Sequence, residues 1–475
     1  MSSVVIPANL AAGEVAAARP APGRSRTELL LHGPITRTLV QLAWPNVLVM
    51  VAQAATGLIE TYFVARLGVD ALAGMALVFP GFMLMQMISA GAMGGGITSA
   101  IARAIGGGRR DEADALVLHG VVIHAALGLF FTAVMLMFGA PIYRALGGRG
   151  GELGAALIYS NIVFGGNVLL WVQNALASAI RGTGNMLVPA LVTCVGVIVL
   201  VPLSPCLIFG FGPFPALGIA GGGVAVVLFN AAAAIVLGWY ALSGRNAARL
   251  RLAPLRWSLM RNILGVGAWS SIQSVQTNLI IALATAMAAG VAGTDAVAGY
   301  GTGARLEYLL VPLVFGLGAP LVAMVGTNVG AGQRERALRI GLTGGVIAFA
   351  LTEAIGVATA VWPRAWLALF STEPHVIETG SSYLRIVGPF YGFFGLALAL
   401  YFASQGAGRL LWPIAAGFLR LTVVVVGGYV ALRLSGSLTW LFAVLALGLL
   451  LQGTIVLGAV LSGTWFRDRR HAAIA

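Results

Sequence analysis

The sequence predicts an all-α integral membrane protein with twelve transmembrane helices in two six-helix bundles, related by a pseudo-twofold along the membrane normal. Three observations predict it. Of 475 residues, 59% are hydrophobic and only 9% charged, where a soluble domain carries about 25% charged residues. Apolar stretches of the roughly 20 residues needed to cross a hydrocarbon core of about 30 Å recur along most of the chain. Short motifs of the first half also return, in order, in the second.

Residues 1–35 hold Arg19, Arg24 and Arg26 among Ala and Pro without an apolar run. They read as a disordered cytoplasmic tail rather than a signal peptide. Spans are expected at 38–65, 71–100, 115–139, 155–178, 186–210 and 217–242, making an N-terminal lobe over 36–243. The stretch 244–261, with Arg245, Arg249, Arg251, Arg256 and Arg261, reads as a basic cytoplasmic linker. A C-terminal lobe over 262–463 follows, with spans at 262–290, 296–327, 340–362, 379–403, 411–433 and 437–463, then a tail over 464–475. Helices are expected because lipid offers no partner to backbone polar groups, and the runs are too long and too continuously apolar for barrel strands.

All 28 basic residues are arginine. With the N-terminus inside, twenty fall in inner segments, including Arg37, Arg103, Arg109, Arg110, Arg181, Arg334 and Arg409, and five in outer ones: Arg66, Arg144, Arg149, Arg364 and Arg433. That bias places both termini in the cytoplasm. The net charge of +13 does not indicate nucleic acid, which needs a solvated basic face. Cys194 and Cys206 share one apolar stretch and read as packing residues rather than a disulfide.

The halves share an offset of 224 residues. Gly182-Thr-Gly184 with Pro189 answers Gly406-Ala-Gly408 with Pro413, Tyr159 answers Tyr383, and Gly106-Gly-Gly108 answers Gly330-Ala-Gly332. Asp70-Ala-Leu-Ala-Gly74 also resembles Asp295-Ala-Val-Ala-Gly299. Six helices per half is an even number, so both halves enter the membrane in the same sense. A parallel repeat of this kind puts the substrate path between lobes.

Three acids fall within spans, Glu60, Glu307 and Glu353, and acids at membrane depth usually face a cavity or a partner. Asn46, Gln53 and Glu60 are spaced by seven and drift only about 20° per heptad. They form either a polar stripe bonded to neighbouring helices or a lumen-facing stripe whose carboxylate binds a proton or cation. Pro45 at the start of that helix removes a backbone hydrogen bond and permits a bend. Asn167 and Asn174 continue the seven-residue spacing from Ser160 on the fourth helix, and the seventh carries Gln273, Gln276 and Asn278. Such amides serve as interhelical glue or line the cavity. Glu307 follows Arg305 closely enough for an ion pair, or acts in ion coupling; Glu353 has no evident partner. His119 and His124 read as packing residues, and Met83, Met85, Met87 and Met93 as adaptable filler of an apolar site or of the lipid face. No Walker A pattern, zinc spacing or nucleophile elbow occurs, so the energy source is expected to be an ion gradient.

Taken together, Gly57-Leu-Ile-Glu60-Thr61 leading to Leu67-Gly68, the loops Gly106-Gly-Gly-Arg-Arg-Asp-Glu-Ala113 and Gly330-Ala-Gly-Gln-Arg-Glu-Arg-Ala337, and Arg181-Gly-Thr-Gly184 with Gln405-Gly-Ala-Gly408 resemble the multidrug and toxic compound extrusion (MATE) family over about residues 34–463. The resemblance implies two bundles around a V-shaped cavity and exchange of protons or sodium ions for organic cations, dyes and drugs. It also implies that Glu60 stands where the family usually has an aspartate, and that Pro45 matches a proline implicated in helix bending. The fifth helix departs from the family pattern: Leu200 and Ser204 replace polar partners of that acid, ahead of Pro205 and Leu207-Ile-Phe-Gly210. No acid falls within the expected tenth span, where some sodium-coupled members have one. A proton needs fewer ligands than sodium, which favours protons.

The expectation is therefore secondary active efflux of small cationic or amphipathic compounds by alternating access. Glu60 and Glu307 would couple the ion. Asn46, Gln53, Asn167, Asn174, Gln273, Gln276, Asn278, Arg305 and Glu353 would line the cavity. The protein would be a monomer in a bacterial inner membrane, touching lipid and drug-like substrate but no nucleic acid, without cofactor or metal beyond the coupling ion. The rivals are a flippase of lipid-linked substrates, which would want an arginine-lined cavity where only Arg305, Arg385 and Arg420 are internal, and an intramembrane transferase enzyme.

Overall fold

The computed structural model describes residues 26–212 and 214–466, with backbone alone at 291–296 and 308. Among the described residues all regular structure is helical. Twelve stretches are long and apolar enough to cross a bilayer, one of them a bent pair. The spans are, in order, Ile35–Ala65, Val69–Gly106, Arg110–Ala145, Gly150–Gly165 with Asn167–Gly182, Leu187–Phe209, Ile219–Leu242, Trp257–Gly290, Val297–Gly330, Arg334–Val361, Pro374–Ala407, Leu411–Ser435 and Leu438–Leu461.

Several spans start earlier than hydropathy suggests. The third and ninth begin with Arg110-Asp-Glu112 and Arg334-Glu335, whose acids favour a helix N-terminus although their polarity ends an apolar run. The tenth begins at Pro374, so Glu378 falls inside it after all, exposed near its start. Pro45 lies well inside the first span, which starts at Ile35, rather than opening it. Residues 26–35, expected as part of a disordered tail, instead include a short helix, Arg26–His32, whose Leu30 is buried. The rest of that tail, 1–25, and the C-terminal arginines Arg467, Arg469 and Arg470 lie outside the described residues.

Four spans carry breaks in their helices. The fourth bends by 46° between Gly165 and Asn167. The second contains a π-helical turn at Met87–Met93, and the eleventh one at Val423–Gly427. The tenth passes through a 3₁₀ turn at Gly388–Phe390, where Pro389 lacks an N–H and loosens the ladder.

Spans three to six pack chiefly within the first half and spans nine to twelve within the second, while spans one, two, seven and eight pack across the halves as well as within them. The internal repeat is visible in the backbone. Gly108 and Gly332 both have positive φ, at 74° and 75°, and so do Gly184 and Gly408, at 81° and 71°. The flanking hydrogen bonds repeat as well: Arg109 N donates to Ala104 O and Gln333 N to Asn328 O, both at 2.9 Å. Glycine reaches this left-handed region without a Cβ penalty, which explains why these turns keep glycine in both halves.

The two groups of helices meet at the end that carries the arginine-rich loops. Ser99 Oγ donates to Gln405 O at 2.5 Å, and Arg103 donates to Gly406 O at 3.1 Å and to Asn262 Oδ1 at 2.7 Å. The Thr327 carbonyl fills the space that a Cβ on Gly106 would need, and the Arg103 carbonyl does the same at Gly330. Arg103 thus touches both Asn262 and Gly330, so the chain reverses between the seventh and eighth spans. The helix Arg26–His32 straps this seam. Leu30 sits in a core shared with Leu39, Val325 and Ile340, Asn328 Nδ2 donates to Leu30 O at 3.0 Å, and Arg336 donates to Gly33 O.

Candidate functional site

Glu60 is half-buried and turned into the first group of helices rather than outward. Tyr159 Oη, from the fourth span, donates to Glu60 Oε1 at 3.4 Å. The carboxylate shares a small pocket with Thr56, Phe63, Leu200, Val201 and Ser204, and Gly222 of the sixth span leaves room beside Oε1. Leu200 and Ser204, the two departures on the fifth span, are thus the residues that face the acid. Ser204 is 4% exposed and its hydroxyl has no hydrogen-bond partner, although buried polar groups are rarely left unpaired. The pocket therefore holds a carboxylate, a phenol and an unsatisfied hydroxyl.

The second group of helices has its own carboxylate–tyrosine pair. Tyr383 Oη donates to Glu307 Oε1 at 2.9 Å and lies 3.1 Å from Tyr391 Oη. Tyr300 and Phe442 pack edge-on against the Tyr383 ring. Glu307 makes no ion pair with Arg305 among the described residues; Arg305 is exposed and lies over the Phe370 ring, 5.4 Å from its centre.

A second cavity, larger than the pocket at Glu60, opens between spans seven, eight, ten, eleven and twelve. Gln273, Phe394, Tyr401, Phe402, Arg420 and Gln452 line it, and Met87 and Gly91 from the π turn of the second span close one wall. Gln405 Nε2 donates to Gly91 O at 3.2 Å and to Ser270 Oγ at 2.8 Å, tying that wall to spans seven and ten.

The other residues expected in the cavity are dispersed. Asn46 is buried and donates to Leu42 O of its own helix at 3.2 Å, whereas Gln53 is exposed. Asn167, at the bend of the fourth span, donates to Gly128 O at 3.3 Å. Asn174 donates to Gln86 Oε1 at 3.3 Å and Ser89 Oγ at 3.1 Å, bracing the π turn. Gln276 is buried beside Gln273 and donates to Ile414 O at 3.3 Å; Asn278 is exposed and donates to Ser274 O at 2.8 Å. Glu353 accepts from Gly392 N at 2.7 Å, an N–H left free just past the 3₁₀ break. Of the residues assigned to the cavity, only Gln273 lines it.

His119 and His124 face backbone carbonyls and the Arg256 N–H. Among the described residues no three His, Cys, Asp or Glu side chains gather as a metal site would require. Composition and spacing missed Arg420, Gln452 and Tyr401 as lining residues. The available signal was an arginine inside a span with no acid near it on the same helix.

Comparison with known proteins agrees with this architecture. The model of the MatE family matches residues 45–206 and 270–430, one segment in each half. The "FAD transporter" of Shewanella oneidensis is 28% identical over 402 residues, covering 83% of this chain and 88% of that protein. The "Probable multidrug resistance protein NorM" of Thermotoga maritima is 27% identical over 443 residues, covering 91% and 93%. In fold, the chain is similar to a solved structure titled "Outward-facing conformation of a multidrug resistance MATE family transporter of the MOP superfamily", with a TM-score of 0.84, 22% identity, and 94% and 99% coverage.

Proposed function

The chain belongs to the MatE family of multi-pass membrane transporters, and on that premise we propose that it exports small amphipathic organic compounds across a bacterial inner membrane in exchange for protons, by alternating access. It is a transporter, not an enzyme. The observation that carries the proposal is the inward-turned Glu60, held by Tyr159 beside the unpaired Ser204 hydroxyl. A proton needs only the carboxylate and one partner, whereas a sodium ion would need the oxygens of Glu60, Tyr159, Thr56 and Ser204 to converge on one point. Glu307 under Tyr383 is the second proton-binding group in this reading.

The closed end at Ser99, Arg103 and Gly330 supports a state open on the opposite side. With the arginine-rich loops in the cytoplasm, that state faces outward. Ion binding can favour one state only by its differential affinity for the two. A carboxylate in a pocket made by spans one, four and five meets that requirement if those spans shift on closing. A lipid flippase is the second reading. Against it stands the count of arginines: Arg305 and Arg385 are exposed, and only Arg420 reaches the cavity.

The test is dye uptake into inverted membrane vesicles under separately imposed proton and sodium gradients. An acid interior is expected to drive uptake with no sodium present. Uptake driven by sodium alone, at any pH gradient, would overturn proton coupling.

A further inference from the structure

Arg420 is the unusual residue of the large cavity. It sits in the interior of the span Leu411–Ser435 and is 7% exposed. Its Nη1 donates to Gln452 Oε1 at 3.1 Å, and its Nε has no partner. No carboxylate lines the cavity, and Arg420 makes no ion pair among the described residues. Glu307, the intramembrane acid of the neighbouring eighth span, is held by Tyr383. A guanidinium buried at membrane depth is expensive and normally pairs with an acid. A neutral glutamine recovers only part of that cost.

Two further polar atoms at this place lack partners. Gln273 Oε1 and Gln276 Oε1, both from the seventh span, are buried and unsatisfied. They converge on Gly417, where a Cβ would stand 2.5 Å from Gln276 Oε1 and 3.1 Å from Gln273 Oε1. Gly417 lies one turn before Arg420 and is likewise buried, so both residues occupy one face of the helix. The missing side chain at Gly417 makes room for the two amides beside the guanidinium. The rest of the wall is aromatic, with Phe315 and Phe402 in edge-to-face contact at 4.9 Å and Phe394 and Tyr401 nearby.

We propose that this cavity is a binding site for organic anions, in which Arg420 holds a carboxylate or phosphate, Gln273 receives an N–H or O–H donor, and the aromatic wall takes a flat ring. The proposal rests on the efflux reading and names its substrate class, a soluble anion in place of an organic cation. An arginine fork matches planar carboxylates and phosphates in shape as well as charge. A cationic ligand would have to enter beside an uncompensated positive charge. The site also suits export, because a membrane potential negative inside assists the exit of an anion and opposes that of a cation. Met87 and Gly91 of the second span complete the wall, so movement of one group of helices against the other opens or closes the site.

The experiment measures binding by fluorescence anisotropy on the purified full chain. Its probes share a ring system and differ in charge: carboxyfluorescein, an anion, and tetramethylrhodamine ethyl ester, a cation. Wild type is expected to bind the anion at least about tenfold more tightly. Arg420→Gln should remove that preference, Arg420→Lys should keep part of it, and cation binding should be unchanged or tighter. Equal or tighter binding of the cation by wild type overturns the proposal without any variant. So does an Arg420→Gln protein that unfolds at the wild-type temperature and keeps the anion preference. Displacement of the anionic dye by polyprenyl phosphate, but not by soluble aromatic carboxylates, would assign the site to a lipid and overturn it as stated. Anion binding without gradient-driven movement of either dye would sink the efflux reading and leave the site standing. Gradient-driven export with no charge preference would do the reverse.

Discussion

Tyr159 and Tyr383 occupy matching places in the two halves, and each donates a hydrogen bond to a carboxylate, but the carboxylates come from helices that do not match. Tyr159 meets Glu60 of the first span, at 3.4 Å. Tyr383 meets Glu307 of the eighth, at 2.9 Å, although the first span's counterpart is the seventh, where Thr285 stands in the place of Glu60 at the offset of Asp70 and Asp295. The duplicated scaffold has kept its tyrosine and its glycine turns while the acids have been placed independently. The protein is symmetric in backbone and asymmetric in chemistry.

The first consequence concerns Glu60. Glu60→Gln keeps the size and a hydrogen-bonding acceptor for Tyr159 but cannot bind a proton. It is expected to bind substrate and fail to exchange it for protons, whereas Tyr159→Phe, which removes one hydrogen bond worth about 1 kcal/mol, should slow exchange roughly fivefold. Efflux from proteoliposomes at a fixed pH gradient distinguishes them. A Glu60→Gln protein with wild-type, gradient-dependent efflux would remove that residue from the mechanism.

A second proton site at Glu307 predicts a change in stoichiometry rather than loss of activity. If both acids carry a proton in each cycle, the logarithm of the substrate ratio at steady state should rise with the pH difference at a slope about one proton greater in wild type than in Glu307→Gln. The slopes are read at zero membrane potential. Identical slopes would leave Glu307 as a structural acceptor for Tyr383.

The spans were legible in the sequence because their signal is local: length, hydropathy and the arginine bias need no knowledge of neighbours. The repeat was legible for the same reason, since a turn that demands positive φ demands glycine in both copies. The cavity was not. Asn46, Gln53 and Glu60 share a face by spacing, yet one bonds its own helix, one is exposed and one enters a pocket. The cause lies in what surrounds the first span. Leu39, seven residues before Asn46, packs into a core with the second group of helices, while Gln53, seven residues after it, is exposed, so equivalent positions on one face meet different environments along its length. Arg420 was visible as an internal arginine, but its unpaired state depends on which side chains four other spans bring to it. The helix Arg26–His32 was missed because its stability comes from docking against Val325 and Ile340 rather than from its own pattern.

Glu353 provides a contrast among the intramembrane acids. It accepts from Gly392 N at 2.7 Å, beside the 3₁₀ break at Gly388–Phe390, and it does not line the cavity. Its role is to satisfy a backbone N–H that the loosened ladder of the tenth span leaves free. Glu353→Leu should therefore destabilise the protein by about 1–3 kcal/mol, the cost of leaving that group unpaired. The dependence of transport on proton gradient should stay that of wild type. Thermal unfolding in detergent and the pH profile of efflux check the two halves of the statement. A shifted pH profile with unchanged unfolding would make Glu353 a coupling residue.

The seam at the arginine-rich end predicts how the conformational equilibrium can be moved from a distance. Gly106 and Gly330 pack against the carbonyls of Thr327 and Arg103 respectively, with no space for a methyl group. Backbone cannot yield as a flexible side chain would, so Gly330→Ala must separate the second and eighth spans there. The hydrogen bonds of Ser99 to Gln405 and of Arg103 to Gly406 cross the same seam, and the added methyl lengthens them too. None of these contacts lies at Glu60 or in the large cavity. The substitution should therefore shift the population away from the state closed at this end while leaving both sites intact. Spin labels placed on either side of the seam, one in the loop after Gly106 and one after Gly408, should report a longer mean distance in Gly330→Ala than in wild type. If the shift is about 1.4 kcal/mol, the closed population falls tenfold relative to the open one. Glu60→Gln, which acts at the far pocket, should leave the packing at Gly330 itself unaltered. An unchanged distance in a folded Gly330→Ala protein would mean that this seam does not control which side is open.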